Sequence, residues 1–493
     1  MEILPSKERA KVVLWQIKKV LHCHFPDLKE RLNSLPDPRI GVEYSIEELV
    51  MAAIVLFLLK CDSRNEFNNK TSDKQFCKNY YKMFHLYAPG MDAVNNLFKK
   101  TEPCFFEQLN CQLISNLIEK RVFHKLRFFE DCFFCIAIDG TGFYDWGATP
   151  PESIRQYAIK KEYEKKSKKE SKKESKKESK KNSEKEPEKN SEKDHEKDHE
   201  KESEVVKVSY CSQVLEAVLV CSNGMVIPLI SEWIANDGEK NLKQDCELNA
   251  FKRMASKLKQ YFPRLNICIL VDGLYSNVAL MDVCQPYGWK FITVFKDGNL
   301  PSVWEEVELL LPVNRAVGIC QKTPVDSTCW IKCSYRWIKN IEYQKHSIHW
   351  IECVQEGEHK KTGEKSTHRF VFLTTLDVNE RNVENIVNAG RARWSIEDYF
   401  NTQKNRDGAL HHKFSRNNFC ALKIWHNVRQ IACMISELVE YTQQLRQLMK
   451  EMKKMTLKEL WKNLNAFLTM CVVEEVIAEF EHWSKVRRQV RLE

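Results

Sequence analysis

The run CFFCIAIDGTG (residues 132–142) divides the chain. Its apolar, β-favouring positions up to Asp139, closed by the turn residues Gly140, Thr141 and Gly142, predict a strand that ends in an aspartate. Upstream the apolar spacing is helical, in SIEELVMAAIVLFLL (45–59), DAVNNLFKK (92–100) and FFEQLNCQLISNLIEK (105–120), so residues 1–128 are expected to form an all-helical region. The apolar run Leu49–Leu59 is too short for a membrane span. It predicts a buried helix that starts at Ser45, with Glu48 three residues on completing a capping box.

Downstream of Asp139 the pattern alternates. QVLEAVLVC (213–221), the turn Ser222-Asn223-Gly224 and MVIPLISEWI (225–234) predict a hairpin. A helix over 240–260, a strand over 266–272 in NICILVD, a helix over 276–286 and a strand over 289–295 follow, which is an α/β succession. Residues 300–377 carry Trp- and Tyr-rich alternating segments and are expected to be a separate β-rich insertion; helical periodicity returns from about 380 to the end. Between 160 and 203 lie SKKE repeats and EKDHEKDHE, with 17 Lys against 14 acids and almost no apolar residue. Such a stretch cannot offset its ordering entropy by burial, so it is expected to be a disordered insert at a loop tip.

Composition narrows the class. Hydrophobic residues at 43% and charged ones at 29% are those of a globular protein with a well-charged surface, and they exclude wholesale disorder. Lys and Arg number 77 against 68 acids, an excess of +9 that suits a polyanionic partner without requiring one. The 19 cysteines sit in apolar runs, such as Cys221 and Cys268, and are expected to be reduced, buried thiols of a cytosolic protein. Cys132 and Cys135 form a CxxC, and His22, Cys23 and His24 a short cluster, but neither has a second pair at zinc-site spacing, so both are expected to be structural. No secretory signal pattern opens the sequence.

Three acids stand out. Asp139 and Asp272 (in CILVDGLYSN, 268–277) each follow an apolar strand and precede a glycine, and neighbouring strands would bring them together. Glu397 lies in RARWSIEDYFNTQKN (391–405), where helical spacing puts Arg393, Glu397 and Lys404 on one face and Ile396, Phe400 and Gln403 on another. Singly, a strand-ending Asp usually caps a turn, and an Arg, Glu, Lys stripe is usually a solvated surface. Converging carboxylates raise one another's pKa, so a cluster of three makes physical sense chiefly around divalent cations. His411 and His412 follow closely, but adjacent positions point to different faces, so surface or DNA-contact roles are expected rather than general-base catalysis. Trp289, Trp304, Trp330 and Trp337 could stack on a splayed base, although core packing is the commoner fate of such residues.

Taken in order, DG, VDGLYSN and RxRWxIExxFxxxK resemble the DDE transposases of bacterial insertion sequences, in particular insertion sequence family four, over residues 130–440. The resemblance implies an α/β fold: a ribonuclease H-like mixed sheet with flanking helices, its first part at 129–299 and its second at 378–440, interrupted by the β-rich 300–377. Helical regions at 1–128, compatible with the DNA-recognition end, and 441–493 would flank it. It further implies that Asp139, Asp272 and Glu397 are catalytic and hold two divalent cations, Mg2+ or Mn2+, while Arg393 and Lys404 contact DNA. The partners implied are double-stranded DNA, both the terminal inverted repeats and the target, and a second copy of the chain in a homodimer, with no membrane. The implied location is the bacterial cytoplasm, at the nucleoid when bound to DNA. The family's helix usually carries Tyr three residues before that Arg, where this chain has Gly390. Two alternatives stay open: a nuclease of the same fold without strand transfer, and a DNA-binding remnant without catalysis.

Overall fold

The computed structural model describes residues 6–129, 132–155, 158–163, 207–234, 246–313, 317–322, 329–405, 409–452, 455–486 and 490–493. The N-terminal region is helical as expected: α1 (Ser6–His24), α2 (Leu28–Asn33), α3 (Ile46–Leu58), α4 (Arg64–Thr71), α5 (Lys74–Phe84), α6 (Met91–Phe98) and α7 (Pro103–Glu119). Ser45 and Glu48 make the capping box reciprocally, the Ser45 hydroxyl accepting from the Glu48 backbone N–H at 3.1 Å and the Glu48 carboxylate accepting from the Ser45 N–H at 2.9 Å. Apart from Glu47 and Glu48, α3 is buried, as its unbroken apolar run requires.

Strand β1 (Phe134–Gly147) opens the sheet, and after α8 (Glu152–Arg155) the chain returns as β2 (Ala158–Tyr163). The insert therefore starts later than the composition suggests, since residues 160–163 pair with the next strand; the remainder of 160–203 lies outside the described residues. Next come β3 (Lys207–Val220) and β4 (Val226–Ile234), an antiparallel hairpin closed where Gly224 adopts φ +89°. Helix α9 (Glu247–Tyr261), β5 (Ile267–Val271), α10 (Val278–Tyr287) and β6 (Lys290–Val294) complete the expected α/β succession.

Region 300–377 begins with a helix the alternating pattern did not indicate, α11 (Pro301–Leu310), with Pro301 in the first turn where its missing N–H is harmless. Strands β7 (Val317–Lys322), β8 (Cys329–Tyr343), β9 (His346–His359) and β10 (Lys365–Thr374) then run as an antiparallel meander. They do not form a sheet of their own. Phe372–Thr374 of β10 pair with Ile292–Val294 of β6, so one ten-stranded sheet runs in the order β2-β3-β1-β5-β6-β10-β9-β8-β7, with β4 added on β3. The architecture is mixed α/β with an open, mixed sheet.

The C-terminal part is helical: α12 (Val383–Ala392), α13 (Ser395–Asn405), α14 (Phe419–Glu440), α15 (Gln443–Glu451), α16 (Leu457–Met470) and α17 (Glu474–Ser484). Helix α14 is the hub. Asn418 caps it, accepting from the Ala421 N–H at 2.8 Å, and its apolar residues pack against α3, α7 and β4. Trp425, fully buried, meets Phe57, Phe98 and Phe414 edge-on or tilted at 4.9–6.0 Å. Each such buried side chain contributes about 1.5–3 kcal/mol, enough in aggregate to carry the buried Arg429 and Glu440 on the same helix. The Arg429 guanidinium faces both the Phe57 and the Phe414 ring, 5.3 and 5.9 Å from their centroids.

Packing also claims most of the residues that first looked like ligands. Cys135 is buried in the core while Cys132 is exposed, and the His22 ring lies edge-on to Phe480 and Trp483. Trp289 and Trp337 are buried, and Trp304 stacks on Phe295 at 4.7 Å; the Trp330 side chain lies outside the described residues. No helix among the described residues is long and apolar enough to cross a membrane. Trp425→Ala is expected to cost about 3–5 kcal/mol through loss of packing and the cavity left behind, against about 1 kcal/mol for Ser45→Ala through the lost cap. Urea unfolding measures both, and similar costs would show that α14 is not the hub.

Candidate active site

Site geometry begins in strand register. β1 and β5 pair in parallel, with Phe134 opposite Ile267 and Ala137 opposite Leu270. The same offset carried two residues on sets Asp139 beside Asp272. β5 stops at Val271, whereas β1 continues to Gly147. Asp139 therefore does not end its strand as expected, because antiparallel β3 supports β1 on its other edge, with Asp139 opposite Glu216. The opening lies on the parallel side only, where β5 turns away at Asp272 and Gly273.

Side-chain alternation decides which face each acid takes. Ile136 and Ile138 belong to the core on one side of the sheet, Cys135 and Ala137 to the core beneath α12 and α13, and Asp139 continues the second set. Its carboxylate accepts from the Gly140 N–H at 2.9 Å. Asp272 accepts from the Leu274 N–H at 2.9 Å, and its carbonyl accepts from the Thr293 hydroxyl of β6, which fixes the turn after β5.

Glu397 reaches this place on α13, which packs on β1 through Ile396, Tyr399 and Phe400. Arg393 and Glu397 do not lie on one continuous helix. The chain turns at Arg393 and Trp394 between α12 and α13, which buries the Arg393 guanidinium against the sheet. It donates to Glu397 at 2.7 Å and to Asp139 at 3.4 Å, joining the two acids, while its Nε has no partner among the described residues. Lys404 does not join them. It lies two turns along α13 and lines a separate cleft with Lys60 and Lys458.

Electrostatics single out two further residues. Burial pushes the Asp139 carboxyl above its ordinary range; Arg393 and the Gly140 N–H pull it down, and Asp272 and Glu397 push it up. Glu247, in the first turn of α9, is also raised, by burial and then by Asp139 and Asp272, while the Tyr275 hydroxyl holds it down. Glu247 comes from the opposite face of the sheet, where Gly140 makes room: a Cβ there would stand 2.3 Å from the Glu247 Oε1. Tyr275 is buried, and its hydroxyl faces this acid without completing a hydrogen bond of good geometry. Nothing in the sequence marked Glu247, because only the fold brings α9 to β1. Glu216 did carry a signal, as the one charge in the buried run QVLEAVLV. Its carboxylate is held by Gln430, which donates to both its oxygens at 3.1 Å, and lies 3.3 Å from the His426 Nε2.

The donor chemistry suits a hard divalent cation, which takes carboxylate oxygens. As arranged here, no group of three acidic, His or Cys side chains among the described residues is close enough to hold an ion. Arg393 occupies the space between Asp139 and Glu397 and supplies the positive charge. The Glu397 side chain is 56% exposed, so its rotation is not blocked by packing. Residues and charge fit such an ion, and holding it requires Glu397 to turn and Arg393 to yield.

Beside the acids lies a cleft of about 330 Å3 lined by Lys296, Arg369, Arg391, Phe370 and Trp394. Lys296 packs over Gly273, where a Cβ would stand 3.1 Å from its Cδ. Gly390 lies against Phe372, whose ring would be 2.7 Å from a Cβ there. Any larger residue at 390 must displace that ring. His411 is exposed and His412 half-buried against Phe414.

Compared with known proteins, the sequence matches no protein-family model and no curated protein. Glu247→Gln keeps the side chain's size and removes its charge. A raised carboxyl binds its proton more tightly in the folded state, so its contribution to stability is lost as pH rises from the ordinary range near 4.5. Glu247→Gln should therefore raise the melting midpoint in EDTA at neutral pH, the gain disappearing below about pH 4. A midpoint unchanged at neutral pH would show that the like charges do not burden this site.

Proposed function

We propose that this chain is a DNA transposase of the DDE class, with a ribonuclease H-like catalytic core, acting by phosphoryl transfer at the ends of a mobile element. One observation carries the reading. Asp139 and Asp272 fall in the same register where two parallel strands part, and Glu397 is tied to Asp139 through Arg393. The ordered motif set and the basic, aromatic cleft beside the acids agree with it.

In this reading Asp139, Asp272 and Glu397 would hold two divalent cations, Mg2+ or Mn2+, whose chemistry would be to activate the attacking oxygen and stabilise the leaving one. Asp139 and Asp272 are rigid, held by the sheet and the turn after β5. Glu397 is the mobile acid that completes the set. Arg393 balances charge until DNA arrives and then turns its guanidinium to a phosphate, for which its planar fork is suited. Lys296 and Arg391 would line the strand's path, and Trp394 offers a surface on which a base can stack. Lys404 contacts the backbone further along. Strand transfer would proceed by direct attack of a freed 3′-hydroxyl, without a covalent protein intermediate, in a homodimer that pairs two ends. In this reading the protein would work on DNA in the bacterial cytoplasm.

The test uses DNA from both sides of the chain's own reading frame as substrate, with Mg2+. Cleavage at short inverted repeats and joining to a target plasmid is the expected result. Asp139→Asn, Asp272→Asn and Glu397→Gln should each lower cleavage by on the order of 100-fold or more while DNA binding persists. Cleavage without joining would make the protein a nuclease, and binding without Mg2+-dependent cleavage, unchanged in Asp139→Asn, would make it a non-catalytic DNA-binding protein.

A further inference from the structure

A second cleft, of about 310 Å3, opens where three segments distant in sequence meet: the end of α3 with α4, the end of α13, and α16. Five lysines line it, Lys60, Lys70, Lys404, Lys458 and Lys462, against two acids, Asp62 and Glu66. Part of this charge is already spent. Lys70 pairs with Glu66 at 3.7 Å, and Lys60 with Glu440 at 3.8 Å while lying over the Trp461 ring. Lys458 and Lys462 are exposed and make no ion pair among the described residues. They stand four apart on α16, so their ammonium groups share one helix face and repel. A bound anion would relieve that repulsion.

We propose that this cleft seats the phosphodiester backbone of a DNA duplex, as an anchoring site separate from the carboxylates and built jointly by the N-terminal helices and α16. The position follows from α13, which begins beside Glu397 and brings Lys404 to the cleft two turns later. Seven residues of helix span roughly 10 Å, and a duplex rises about 3.4 Å per base pair. The cleft would therefore hold a phosphate about three base pairs from the scissile one, an estimate that rests on the transposase reading; the binding of DNA in the cleft does not. Lysines suit this role because a flexible ammonium meets a phosphate as a point charge and asks for no fixed base sequence.

Full-length protein carrying Asp139→Asn is titrated with a fluorescent 30-bp duplex in EDTA over a range of salt concentrations, so that no chemistry enters. Compared with it are the double substitution Lys458→Ala/Lys462→Ala, its conservative counterpart Lys458→Arg/Lys462→Arg, and Lys99→Ala/Lys100→Ala, an equal charge change at the exposed end of α6. The expected result is about tenfold weaker binding and a salt slope shallower by about 2 for the α16 alanine pair, recovery with arginine, and little change for the α6 pair. Loss of affinity that is equal in the two alanine pairs, or absent from both, overturns the proposal. So does tripolyphosphate binding that depends on Lys458 and Lys462 while duplex binding does not, which would assign the cleft to a free phosphate compound. Failure of strand transfer in the assay above leaves the anchoring site standing, and the reverse also holds.

Discussion

The site depends on one backbone constraint, the parallel pairing of β1 with β5. Parallel register fixes Asp139 beside Asp272, and the early end of β5 removes the neighbour that would otherwise cover them. A slip of one residue in either strand would turn its aspartate to the other face of the sheet. The apolar residues before each acid prevent that slip, since Cys135, Ala137, Cys268 and Leu270 fill one core and Ile136, Ile138, Ile269 and Val271 the other. Burial on both faces thus sets the geometry of two charges that are themselves costly to bring together.

That cost shapes the surroundings. Burial and mutual repulsion raise Asp139 and Glu247, and the protein answers with Arg393, placed by the turn between α12 and α13. A guanidinium reaching two acids at 2.7 and 3.4 Å stabilises the closed arrangement without any ion. It also makes ion binding and DNA binding interdependent in the proposed reaction, because Arg393 cannot serve the acids and a phosphate at once. The half-exposed Glu397 is the part free to respond.

Glycines mark where acids and cations approach the backbone most closely. At Gly140 the space a Cβ would need is taken by the Glu247 carboxylate, and at Gly273 by the Lys296 stem. Both glycines directly follow the aspartates and leave room beside them, Gly140 within β1 and Gly273 in the turn after β5. Gly390 differs, since its neighbour is the Phe372 ring of the core. Glycine at 390 is therefore matched by packing in this chain, whose aromatic surface near the acids comes from Phe370 and Trp394.

Much of this was written locally. Apolar periodicity gave the N-terminal helices, the hairpin at Asn223-Gly224 and the α/β succession through residue 295, because period and turn chemistry are properties of neighbouring residues. The three acids were legible for the same reason, each sitting in a short motif with its own spacing. What pairs with what was not. That β10 adds to β6 and makes one sheet of the core and the residues after 300, that β1 continues past Asp139, and that α9 brings Glu247 under Gly140 all depend on contacts between segments far apart in sequence. The lysine cleft is of the same kind, for Lys404 reads as part of a stripe with Glu397 until α16 is set beside it. Local sequence determined which residues could carry charge, and only long-range packing decided which charges meet.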